Sequence, residues 1–171
     1  MGSTLTVDNI VGATTAANVK LPAGTPVQMV TAGHSTYVRT TATSFTDTGL
    51  TASITPKFSD SIMIITISAN VTQDGANANE IACRLYMTAP STAVIQEFQR
   101  PNFGYGNGLS ESHQTSHCGF TTIHDHNTTS QITYKWQHRV TSGGGAIRHN
   151  DYSTGSPPTN HARIVITEIS Q

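Results

Sequence analysis

The chain has 171 residues, of which 11% are charged and 36% hydrophobic, with a net charge of -1. Ordinary soluble domains carry about 25% charged residues, so both a basic field for nucleic acid and a basic stripe for anionic lipid are excluded. No stretch approaches the roughly 18 apolar residues of a membrane-spanning helix, and no basic run followed by an apolar run opens the chain, so no secretory leader is expected.

The place of the missing charge is taken by Thr, Ser, Asn, Gly and Gln. Thr favours strands, while Ser and Asn favour turns. The Glu, Lys, Leu and Ala runs of surface helices are absent. The length predicts one domain, or one domain with an arm.

Residues 1–24, including STLTVDNIVGATTAANVKLPAG, hold no aromatic ring and almost no charge. Turn chemistry at Asp8-Asn9 and Gly12 interrupts a weak Val/Ile/Leu pattern. The segment has too little apolar mass to fold alone and is too regular for a Gly/Ser linker. It reads as an extended arm ordered by a partner or by copies of itself, or as a disordered leader. The domain proper is expected over 25–171.

Strands are predicted in PVQMV (26–30), STYVRTT (35–41) and LTASITP (50–56). SIMIITISANVT (61–72) is crowded with β-branched residues, which predicts a central strand with both faces largely covered. In EIACRLYMT (80–88), Ile81, Cys83, Leu85 and Met87 share one face. TAVIQEFQR (92–100) follows a turn at Pro90 and Ser91, which predicts a hairpin. HQTSHCGFTTIHDH (113–126) reads as a strand. QITYKWQHRV (131–140) gives the clearest period of two, with Ile132, Tyr134, Trp136, His138 and Val140 on one face. HARIVITEIS (161–170) supplies the last strand. Eight or nine such strands predict an all-β fold, an antiparallel β-sandwich or jelly roll. Two long connections, 101–112 and 141–160, are of the kind that carries function. Cys83 and Cys118 read as two buried or unbridged thiols rather than a disulfide.

No catalytic pattern is present: no G-x-S-x-G turn, no glycine-rich phosphate loop and no C-x-x-C pair. The expectation is a protein that is not an enzyme. Asp74, Asn77, Asn79 and Glu80 offer oxygen ligands without calcium-loop spacing, and a hairpin turn at Asp74-Gly75 explains them as well. His113 and His117 share a strand face but stand over about 13 Å apart when extended, so they read as surface or structural groups. His138, beside Trp136, reads as a hydrogen-bonded core or interface histidine. Binding is better supported. Phe103 and Tyr105 lie in a Gly-rich loop, and Arg148, His149, Asn150, Asp151 and Tyr152 form a second cluster. Loop aromatics stack on sugar rings or fill protein pockets, or else anchor their own loops.

STLTVDNIVGATTAANVKLPAGTPVQMV, TSFTDTGLTASITPKFSDSIMIITISANV and YKWQHRVTSGGGAIRHNDYSTG with ARIVITEIS resemble C-terminal head modules of tail-fibre and virion structural proteins of marine tailed phages, cyanophages in particular. The resemblance spans nearly the whole chain, and its motifs are structural. It implies a virion location, a homotrimeric head, an N-terminal arm that contacts other virion proteins, and attachment to a host-surface glycan or protein. Such modules usually close much longer fibres, whereas this one starts at Met1. That adds a capsid decoration or accessory fibre protein to the readings, beside a free carbohydrate-binding module. His124 and His126 would share a strand face. On a three-fold axis, three chains would supply six imidazoles, enough for an axial transition metal. Otherwise the pair lies near a turn in solvent, and no other cofactor is expected.

Overall fold

The computed structural model describes residues 21–74, 80–100, 113–142, 145–149 and 162–171. Ten strands run through them: β1 (Pro26–His34), β2 (Val38–Thr40), β3 (Thr46–Ile54), β4 (Ile62–Asp74), β5 (Glu80–Ala89), β6 (Ala93–Arg100), β7 (His113–Asp125), β8 (Ile132–Ser142), β9 (Ala146–His149) and β10 (Ala162–Ile169). They form two antiparallel sheets packed face to face, so the chain is an all-β sandwich, as its strand spacing predicts. Residues 1–20, most of the expected arm, and 75–79, most of the oxygen-ligand turn, lie outside the described residues.

The first sheet has the order β1-β10-β4-β9-β2, with β7 also on β4. The length of β4 explains this branching. Along one edge it pairs with β7 over all thirteen residues. Along the other it pairs with β10 over 62–68 and then with β9 over 71–74. The second sheet has the order β3-β8-β5-β6. The Ala89-Pro90 peptide between β5 and β6 is cis.

One core fills the space between the sheets. From the first sheet come Met63, Ile65, Ile67, Ala69, Val71, Cys118, Ile147, Ile164 and Ile166. From the second come Leu50, Ile54, Ile81, Cys83, Leu85, Ile132, Tyr134 and Trp136. The period of two in β5 and β8 thus places the faces as the sequence predicts. In β4 it corrects an expectation. Its odd-numbered residues from Met63 to Val71 are buried, while Ile62, Ile64, Thr66, Ser68 and Asn70 are half-buried or exposed. β4 is central by pairing but covered on one face only, because over most of its length no further layer of described residues lies outside the first sheet.

Two other differences have local causes. β9 falls inside the connection 141–160, where four residues between glycine-rich and polar stretches carry too short a pattern to read. β3 begins four residues ahead of its expected start, because its first inward residue is the polar Thr48, flanked by Asp47 and Gly49, and only from Leu50 on is the inner face apolar; its pairing with β8 shifts register between Asp47 and Thr51. Gly49, inside that shift, takes a φ of 87°. Side chains rarely adopt this backbone, and a Cβ there would run into the His34 ring. Both ends of the described chain meet at one corner. Gly24 N donates to Ser170 O at 2.8 Å and Ser170 N to Thr25 O at 3.0 Å. Ser170 Oγ donates to Leu21 O at 3.0 Å. Cys83 and Cys118 are buried and form no disulfide.

Candidate functional site

Of the residues expected to bind, Phe103, Tyr105, Asn150, Asp151 and Tyr152 lie outside the described residues. Arg148 and His149 are consecutive in β9 and therefore face opposite ways. Arg148 stands opposite Arg39 and Thr72, and His149 opposite Val38 and Val71. His149 is fully buried. The two do not share a binding surface.

Inside the sandwich His149 belongs to a row of imidazoles. Its ring lies 6.1 Å from that of His34, nearly parallel, and 6.3 Å from that of His138, edge on. His34 is half-buried and His138 fully buried. Among the described residues neither nitrogen of His138 or of His149 has a hydrogen-bond partner. The expected hydrogen bond to the His138 ring is thus absent: its cross-strand neighbours are Cys83 and Thr46, and the Thr46 hydroxyl donates to the His138 backbone oxygen at 3.2 Å. Burial lowers the pKa of His138 to about 4. For His149, burial and then the neighbouring His138 and His34 lower it to about 3, against a small opposing effect of the Asn70 backbone, whose geometry falls short of a hydrogen bond. Both rings are neutral near pH 7. Among the described residues no three His, Cys, Asp or Glu side chains are placed to hold a metal ion together.

His124 and His126 do share a face of the chain, but it is the inner one, opposite the row that starts at Met63. His126 is 6% exposed. Its Nδ1–H donates to Thr128 O at 3.0 Å, which turns Nε2 toward Ser61 Oγ at 3.2 Å. His124 Nδ1 lies 2.7 Å from the Tyr134 hydroxyl. Burial pushes the Tyr134 phenol up, so it keeps its proton and donates it. Burial first, then His126, lowers the pKa of His124 against the pull of Asp125.

Next to His126 lies a buried carboxylate. Glu168 accepts from Ser61 Oγ at 2.6 Å, Gln28 Nε2 at 2.6 Å, Lys57 N at 2.9 Å and Phe58 N at 3.1 Å. These donors replace the water that burial takes from the carboxyl oxygens. Ser61, His126 and Glu168 contain the residue types of a hydrolase triad, but the arrangement is different. The Ser61 hydroxyl is buried, and its shortest bond ties it to the carboxylate. It clamps the 57–61 turn onto β10.

The outer face of the second sheet carries a surface network. Arg84 lies 4.1 Å over the Phe45 ring and 4.4 Å over that of Tyr86, and Arg139 lies 4.7 Å over Phe45. Arg84 Nε donates to Gln137 Oε1 at 2.7 Å, and Gln137 and Lys135 both donate to Asp47. Burial pushes the Asp47 carboxyl up, but the bonds from Gln137 and Lys135 outweigh it and hold the pKa below its ordinary value. Arg139 pairs with Glu97 at 3.5 Å. The alternation in 80–88 and 131–140 puts these side chains on outer faces. Only the order β3-β8-β5-β6 brings them together, and no period encodes strand order.

No family model and no curated protein matches the chain. Two solved structures of infectious bursal disease virus, of its Gx and Gt strains, are similar to it. Each covers 86% of the chain at 12% identity and a TM-score of 0.40. The chain spans 40% and 38% of the matched chains. That likeness is too distant to carry a functional argument.

Proposed function

We propose that this chain is a non-enzymatic structural protein of a phage virion, a fibre-head or tail-fibre module that contributes to host-surface attachment. The observation that carries the reading is how its polar chemistry is used. His124, His126, the caged Glu168 and the Arg84 network tie strands and turns of one sandwich together, as a head that must withstand force requires. The resemblance of the sequence to marine phage head modules supports the same reading. In it the segment 1–24 fixes the head to other virion proteins, the head self-assembles as a trimer, and the loops with Phe103, Tyr105 and 150–152 meet the host. A shell-decorating protein is the second form of this reading.

Immunogold electron microscopy on intact particles of the encoding phage, with antibody to the full chain, tests it. Labelling at the tail tip is the expected result. Labelling spread over the shell would select decoration. Unlabelled particles, with the protein found only in the infected lysate, would overturn the virion reading.

A further inference from the structure

The two outer faces of the sandwich differ in kind. That of the second sheet is tied up in the network of Asp47, Arg84, Glu97, Lys135 and Arg139. That of the first sheet is nearly without charge over β1, β10, β7 and the stretch of β4 between β10 and β7. Met29, Thr167, Ile64 and Ile123 form one row across β1, β10, β4 and β7. A row to one side includes Ile169 and Ile62, and a row to the other consists of Thr31, Val165, Thr66 and Thr121. Met29 is 65% exposed and Ile123 58%. Within this four-strand patch the charges are Asp125 and Arg163, at opposite ends, paired with Ile62 and Ser68, and Arg39 and Arg148 lie beyond it on β2 and β9.

Four strands about 4.8 Å apart and eight residues at about 3.4 Å each give about 500 Å² in projection. Two such faces together would bury about 1,000 Å², the lower bound for a specific interface. Charge is depleted at the centre of such interfaces. A partner must therefore be as uncharged as this face. Within the described chain, the second sheet's outer face is not, and the surface that matches is the same face on another copy.

We infer that the outer face of the first sheet, centred on Met29, Ile64 and Ile123, is where copies of this chain pack on one another. The inference rests on the self-assembly proposed above for its occupant and adds the surface. Its test is sedimentation equilibrium of the full chain across a concentration series, with Met29→Lys, Ile123→Lys and, as a control on the other sheet, Val94→Lys. Val94 is 47% exposed, so all three substitutions fall on side chains that hold no core together, and circular dichroism confirms the fold of each. The wild type and the control should sediment as a multiple of 18.2 kDa. Met29→Lys and Ile123→Lys should weaken association at least about tenfold, the cost of one well-packed interface residue. A wild type that stays monomeric would overturn both the face and the self-assembly. An oligomer indifferent to both substitutions would overturn the face and leave the self-assembly standing.

Discussion

At the scale of single residues, the sandwich holds two buried polar groups on opposite terms. The Glu168 carboxyl is fully supplied with donors. His138 and His149 are uncharged and supplied with none. The second arrangement is stable only while the rings stay neutral. Their folded pKa values, about 4 and about 3, lie below the ordinary value near 6.5. The unfolded chain therefore binds more protons in this window. Their contribution is complete above about pH 6.5 and is lost as the pH falls toward the folded values. The summed loss by pH 4 should be on the order of several kcal/mol. Urea unfolding at pH 7 and at pH 4.5 checks this, and His149→Phe should flatten the difference. Equal midpoints at the two pH values would contradict it. The sequence placed His138 on the apolar face. It could not place His34 and His149 beside it, since they come from β1 and β9, 115 residues apart, and meet only through the packing of two sheets.

At the scale of elements, β4 is the strand on which the fold is built, and its two faces should differ in cost. Ile65→Ala removes a fully buried side chain and should cost about 2–5 kcal/mol, cavity included. Ile64→Ala, one residue away on the outer face, should cost the monomer about 1 kcal/mol or less, by the usual cost of substitution outside the core. Denaturant midpoints of the two variants check the contrast, and similar losses would mean that a further layer covers β4. The sequence misreads this point for a definite reason. The strand opens with Ile62 and Ile64 on the outer face beside Met63, Ile65 and Ile67 on the inner one, so its first half is apolar on both sides, and Thr66, Ser68 and Asn70 mark the outer face only from the middle on. In β8 the outer residues are Lys, Gln and Arg, and the same period is plain. β9 was hidden by its length, and the onset of β3 by the polar Thr48 at its first inward position.

At the scale of the whole molecule, the core joins both sheets into one cooperative unit. Cys83 reports from the second sheet and Cys118 from the first. Both thiols should react with a disulfide reagent only through global unfolding and at one common rate. Thiol labelling in sub-denaturing urea measures this, and separate rates would show that the sheets open independently. The class of the fold was legible because short alternating runs and turn residues recur along the whole chain. The branching of β4 between β10 and β9 was not, and neither was the convergence of Phe45, Arg84 and Gln137. Such features depend on which strand lies beside which, and that is decided by packing.

The corner where residues 21–25 meet Ser170 also bears on how the molecule responds to force. β1 leads inward from that corner and β10 returns to it. A pull shared between residues 21 and 171 therefore acts across the β1–β10 ladder and opens it rung by rung, each rung resisting with about 1 kcal/mol. The same pull between residue 21 and a partner gripping the outer face of the first sheet runs along β1 instead and loads its rungs together. The sandwich is thus mechanically directional: weak when drawn apart by its own ends, and strong when tethered at the beginning and held by its face.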